Sequence, residues 1–152
     1  MLLTRAPSRP PVVHATTESR VDPAPVPGEI RALALRLPAD NPQRAFLADG
    51  MVTVEEREAA ATAARDCSLA AARQLGLRAS ASRADQDGVA GYEFAISGDE
   101  ARTTLWEARS DRCGDANEAL VEAALSGGSA YDDAGVNQLE VDLVRNRVLA
   151  AA

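Results

Sequence analysis

Between Thr53 and Gly76 the chain runs VEEREAAATAARDCSLAAARQL, twenty-two residues without a proline or glycine, eight of them alanine. Alanine is the strongest helix former, so this stretch predicts one long helix. Ala60, Ala64, Cys67, Ala71 and Leu75 fall on one stripe, while Glu55, Glu58, Arg65 and Arg73 lie largely off it. The acids gather at the start and the arginines toward the end, as the helix dipole favours, and Gly76 supplies a stop. A stripe this small lets a partner element approach closely. Hydrophobic residues make up 46% of the chain but aromatics only 3%, so the expected core is thin and relies on that close approach.

The segment leading into this helix, FLADGMVTVEE, poses a choice between a calcium loop and a helix entrance. An EF-hand loop places oxygen ligands five and three residues before its glycine and a glutamate six residues after it. Counted from Gly50, the earlier places hold Ala45 and Leu47, so only Asp49 and Glu56 remain as oxygen donors. The entrance reading fits instead: Thr53 is an N-cap and Glu56, three residues on, completes a capping box. No metal site is expected.

Upstream, residues 1–28 carry most of the prolines and no hydrophobic period, and are expected to form a disordered, proline-rich arm. His14, the one histidine, lies in it and reads as a solvated tail residue. From residue 29 the pattern is that of a single small α+β domain reaching residue 152. Ile30, Leu33, Ala34 and Leu37 recur at helical spacing until Pro38, which predicts a two-turn helix. In NPQRAFLADG, Asn41 suits a cap, Pro42 the first helical position and Gly50 a left-handed close, with Phe46 and Leu47 directed to the core.

After Gly76 the period changes from 3.6 to 2. Leu77, Ala79 and Ala81 alternate with Arg78, Ser80 and Ser82, and Tyr92, Phe94 and Ile96 alternate with Gly91, Glu93 and Ala95. Asp87-Gly88 between them is a hairpin signal, since both residues tolerate positive φ. Asp85 and Asp87 have no third ligand nearby and are read as turn chemistry. Asp99 then caps a helix carrying Leu105, Trp106 and Cys113, expected to kink or restart around Gly114 and to continue through Leu120, Val121 and Leu125 to the glycines after Ser126. The last stretch puts Val136, Leu139, Leu143 and Val144 on one face and predicts an amphipathic helix, folded back or docked on a partner. The expected fold class is thus α+β: a helix, antiparallel β-hairpin and helix core, with short N-terminal helices and a C-terminal amphipathic helix. Phe46, Leu75, Tyr92, Phe94, Ile96, Leu105 and Trp106 are its candidate core residues.

All 16 basic residues are arginine. From residue 29 on, 13 arginines against 21 acidic residues leave a charge of −8. Such a domain repels phosphate backbones, which argues against nucleic-acid binding and anionic membrane surfaces. No run approaches the roughly 18 apolar residues of a membrane span. The opening MLLTRAPSRP breaks into Arg and Pro before a signal-peptide core forms, so an address in the cytoplasm is expected if Met1 is the true start.

Two cysteines, with no histidine in the folded part, do not make a structural zinc site, and their separation excludes a CxxC motif. A disulfide or two separate buried thiols are left. Cys67 lies on the packing stripe and Cys113 seven residues after Trp106, so both can meet where the helices cross. A bond there closes a loop whose chain-entropy contribution is on the order of 4 kcal/mol.

The ordered set LADGMVTVEE, DCSLAAARQLGL, DGVAGYEFAI and RSDRCGDA resembles a group of small uncharacterised actinobacterial proteins, many of them secreted or lipoprotein-like. In that group L-D-G-x-V-T-x-x-E opens a cysteine-bearing helix, followed by a hairpin and a helix with D-R-C. The resemblance covers about residues 46–125 and implies a disulfide-tied extracytoplasmic domain, without an activity. This chain differs in showing no export signal and in having Gly114 directly after the second cysteine.

For chemistry, the solitary histidine disables Ser/His/Asp and Cys/His sets, and neither a phosphate loop nor a dinucleotide fingerprint is present. Adjacent acids such as Glu55 and Glu56 or Asp132 and Asp133 read as solvated faces. Arg112 beside Cys113 is a weak activator, because neighbouring helical residues point apart. The expectation is a non-catalytic binding or structural module of the cell envelope with a protein partner and no cofactor. The alternative is a cytosolic accessory or regulatory protein with reduced thiols that binds its partner through the C-terminal helix.

Overall fold

The structure, a computed structural model, describes residues 2–4, 22–85, 91–126 and 133–150. The elements are β1 (Leu2–Thr4), β2 (Ala24–Pro25), α1 (Gly28–Leu35), α2 (Pro42–Leu47), β3 (Met51–Val52), α3 (Val54–Gln74), β4 (Arg78–Arg83), β5 (Tyr92–Ser97), α4 (Glu100–Asn117), α5 (Ala119–Ser126) and α6 (Asp133–Arg145). The fold is α+β. The β-hairpin β4–β5 joins α3 to α4, and those helices lie antiparallel against one another.

The ends of α3 follow from local chemistry. Thr53 Oγ1 accepts from Glu56 N at 3.0 Å while Thr53 N donates to Glu56 Oε1 at 2.9 Å, the two halves of the capping box. Asp22 Oδ1 satisfies the further orphan donor Val54 N. At the other end Gly76 takes φ +71°, and Leu77 N and Gly76 N return to Ala72 O and Arg73 O, which is the Schellman closure. Asn41 caps α2 through Gln43 N, with Pro42 at its first position, and Gly50 takes φ +85° after it.

Two sheets form. The larger has strand order β1-β5-β4, antiparallel throughout, and the smaller pairs β2 with β3. Strands β1 and β2 fall in the segment expected to be a disordered arm. Backbone pairing at a strand edge needs no hydrophobic period, so periodicity does not reveal strands of two or three residues. Most of the remaining arm, His14 included, and the Asp87-Gly88 turn lie outside the described residues.

The core divides in two. The larger cluster gathers Ile30, Leu33, Leu37, Leu47 and Val52 with residues of α5 and α6, and Phe46 packs against it half-buried. The smaller joins Ala71, Ala72, Leu77, Ile96 and Trp106, with Leu75 and Phe94 half-buried beside them. Leu105 does not belong to either: it is 52% exposed. One residue is a turn of about 100° on a helix, and the sheet takes the Trp106 side. Tyr92 is also outside both clusters, half-buried at the far end of β5.

The helix after the hairpin does not break at Gly114, which lies inside α4, but at Glu118. The cause is tertiary. A continuous helix would join Leu120 N to Ala116 O. Here Gln43 Oε1 accepts from Leu120 N at 2.8 Å, and Asn41 Nδ2 donates to Ala116 O at 3.0 Å. Gln43 Nε2 also donates to Asp115 O. The N-terminus of α2 thus satisfies both sides of the break, and Gln43 is completely buried in doing so. Leu139 and Leu143 of α6 are buried in the larger cluster with Val136 and Val144 packed beside them, so this helix folds back on its own molecule.

Candidate functional site

The long seam between α3 and α4–α5 brings together the residues singled out in the sequence. From the sheet end, Arg102 donates to Leu75 O, Trp106 Nε1 donates to Ser68 O at 2.9 Å, and the Ser68 and Ser110 hydroxyls meet at 2.8 Å. Cys67 and Cys113 come next, joined as a disulfide with Cα atoms 5.6 Å apart. Neither is a free thiol, so the activating role considered for Arg112 has no thiol to act on. Beyond them, Arg57 grips Glu122 through two hydrogen bonds of 2.9 and 2.6 Å, its side chain only 4% exposed. A buried guanidinium demands such a partner, because unpaired charge in the interior is costly.

Close approach at the sheet end depends on Gly98. A Cβ there would lie 2.2 Å from Leu77 Cδ2, so any side chain forces the end of the Leu77 side chain to shift. Phe94 completes this corner, its ring edge-on to Trp106 with centroids 5.7 Å apart.

A polar cluster covers Tyr92. The Arg65 guanidinium lies 4.8 Å from its ring centroid and donates to its hydroxyl, and Arg83 lies 5.7 Å from the same centroid. Arg83 in turn binds Glu58 at 2.6 Å and also Asp85. The hydrogen bond from Arg83 holds the Asp85 carboxyl below its ordinary range, and Arg83 itself is raised by Asp85 and Glu58. The cluster ties the hairpin to α3. Its acids are committed to arginine, and a carboxylate held ionised is a poor proton donor.

Asp115 behaves oppositely. Burial pushes its carboxyl up, partly offset by a hydrogen bond from Asn146, while Asp142 and Asp111 raise it further and Arg145 lowers it. It sits at the junction of α4 with the end of α6, away from the Tyr92 cluster. Among the described residues no group of three or more His, Cys, Asp or Glu side chains gathers as metal ligands. Asp49 and Glu56 are occupied locally, Asp49 Oδ1 accepting from Met51 N and Glu56 closing the capping box. Among the same residues, no helix is long and apolar enough to cross a membrane.

Sequence reasoning missed Gln43, Arg57 and Ser68, all buried polar side chains. Their signal is absent from periodicity, since each sits where a hydrophobic residue or an exposed polar one is equally natural. Compared with known proteins, the chain matches no family model, and no curated protein or solved structure matches it.

Proposed function

We propose that this chain is a non-catalytic binding or structural module of the cell envelope. The observation that supports this most is the Cys67–Cys113 disulfide, which takes up both cysteines and cross-links the two longest helices. Disulfides persist in oxidising compartments and are rare where glutathione keeps thiols reduced. A thin core gives a further reason for a covalent tie. The arginine-bound acids around Tyr92 are consistent with a structural role for that cluster. The apolar face of α6 is covered by the molecule's own core, which turns attention from the terminal helix to the sheet side as the surface for a protein partner.

The test is thiol titration with alkylation of protein isolated from its native host and denatured without reductant. The module reading expects no free thiol. Two free thiols per chain would overturn it and favour the cytosolic accessory reading.

A further inference from the structure

Leu35, Met51, Val54, Leu105 and Val141 are the large apolar side chains exposed among the described residues. Beside two of them the charges are already matched within the chain: Arg36, next to Leu35, binds Glu140, and Asp142, next to Val141, binds Arg145. The other three form two patches of opposite sign. Arg102, Leu105, Arg109 and Arg112 recur at helical spacing as one exposed stripe of α4. Asp99 holds Arg102, but neither Arg109 nor Arg112 has an ion-pair partner among the described residues. Glu107 and Asp111 are turned from Leu105 by about 160° and 120° around the helix, and Asp66 across the seam is committed to Arg65.

The second patch is negative. Met51 lies opposite the exposed Pro25, Asp49 Oδ1 accepts from Met51 N and Asp22 Oδ1 accepts from Val54 N, so hydrogen bonds hold both carboxyls at the patch. Glu55 follows Val54, also exposed. These three acids have no ion-pair partner among the described residues, and Arg31 nearby donates to Ala48 O instead. The patches sit at opposite ends of α3: Val54 begins it, and Arg102 donates to Leu75 O just past its last residue. Its 21 residues span about 30 Å, so one copy is unable to bring its own patches together.

We infer that the arginine stripe of one copy docks on the acid-rimmed patch of a second copy, with Leu105 seated against Met51 and Val54 and Arg109 and Arg112 facing Asp49 and Glu55. A second copy is the occupant because the chain carries both halves of a complementary surface: apolar centre to apolar centre, unmatched guanidinium to unmatched carboxylate. The contact is heterologous, since each patch meets a different one. A net charge of −7 repels copies at long range, and the roughly 8 Å screening length of physiological salt damps that repulsion more than the attraction of touching charges. This extends the module reading from one chain to an assembly and does not depend on the compartment.

The test is sedimentation equilibrium of the oxidised full chain in physiological salt, from micromolar to millimolar concentration. The wild-type mass should rise with concentration. Leu105→Ala should weaken self-association about fivefold, and R109E/R112E or D49R/E55R about tenfold. Mixed in equal amounts, the two reversed variants should recover association, because the reversed stripe of one meets the reversed patch of the other. Near-ultraviolet circular dichroism, which reads Trp106 packing, shows which variants are folded; Leu105→Ala and R109E/R112E change exposed side chains alone and decide the matter should D49R/E55R unfold. A wild-type chain that stays monomeric at millimolar concentration, association indifferent to Leu105→Ala and R109E/R112E, or a mixture of folded reversed variants that stays monomeric each overturns the inference. Capture of a fluorescent Glu-Leu-Glu-Glu-Leu-Glu peptide by a monomeric wild-type chain, lost in R109E/R112E, assigns the stripe to an acidic partner and overturns it too. Thiol titration of the native isolate reads the compartment separately, so either result can fail without the other.

Discussion

At the helical end of the molecule Leu47, Val52, Leu120, Val121 and Leu143 are all completely buried, whereas at the sheet end, of the apolar side chains among the described residues, Ala72 and Ile96 alone are. The helical end is held by burial, with Gln43 and Asn41 closing the break between α4 and α5. The sheet end substitutes specific fasteners for area: the Trp106–Ser68 bond, the Ser68–Ser110 pair, arginines over Tyr92, and the adjacent disulfide. A chain with few aromatics fills one core well and ties the other down.

Removing the tie is the strongest way to break this contrast. A C67S/C113S chain is expected to lose on the order of 4 kcal/mol in denaturant unfolding. Hydrogen exchange should show β4 and β5 opening before α1 and α5; equal loss at both ends would mean that one cooperative core, not two, holds the fold. Next comes a neighbouring pair on α4. Trp106→Ala should cost about 3 kcal/mol, whereas Leu105→Ala, on the exposed face, should stay within about 0.5 kcal/mol. Comparable costs would mean that α4 is rotated from the orientation described.

On the helical end, Gln43→Leu keeps the size of the side chain but strands Leu120 N and Asp115 O, with an expected loss of about 2 kcal/mol. A neutral result would show that the break closes into a continuous helix. Thr53→Ala removes one half of the capping box and should cost about 1 kcal/mol, read as a shifted urea midpoint with unchanged slope.

The smallest effect concerns pH. Asp115 is raised, so its ionised form is disfavoured in the folded state and weighs against stability above its folded pKa. That penalty is relieved as pH falls toward its unfolded value. Asp99 runs the other way. The Arg102 backbone N–H first, and its guanidinium second, hold Asp99 low, so its stabilising contribution is present at neutral pH and lost in acid. Asp115→Asn should therefore raise stability slightly at pH 7, by less than any of the changes above, and have no such effect well below the ordinary carboxylate range, read from urea midpoints at the two pH values. A gain that persists in acid would trace the effect to packing rather than to charge.

Much of this architecture was legible before any contact was known. Thr53, Glu56 and Gly76 mark the ends of α3 because capping is chemistry within a few residues. The strands around Ile96 show in their alternation because one face of a sheet must be buried. The halves of the candidate site differ: Cys67 and Cys113 can be placed on facing helices from spacing, but the arginines over Tyr92 cannot, since cation–π contacts join residues far apart in the chain.

What the sequence alone determined, then, is every feature set by neighbours along the chain: the caps, the left-handed glycines, the switch from helical to strand period and the acidic charge. Tertiary structure decided the rest. It selected Trp106 over Leu105, moved the helix break from Gly114 to Glu118 by way of Gln43, and gave Leu2–Thr4 a partner in β5. In each case the deciding partner lies far away in sequence, and a backbone group or a rotation angle is satisfied only once that partner arrives.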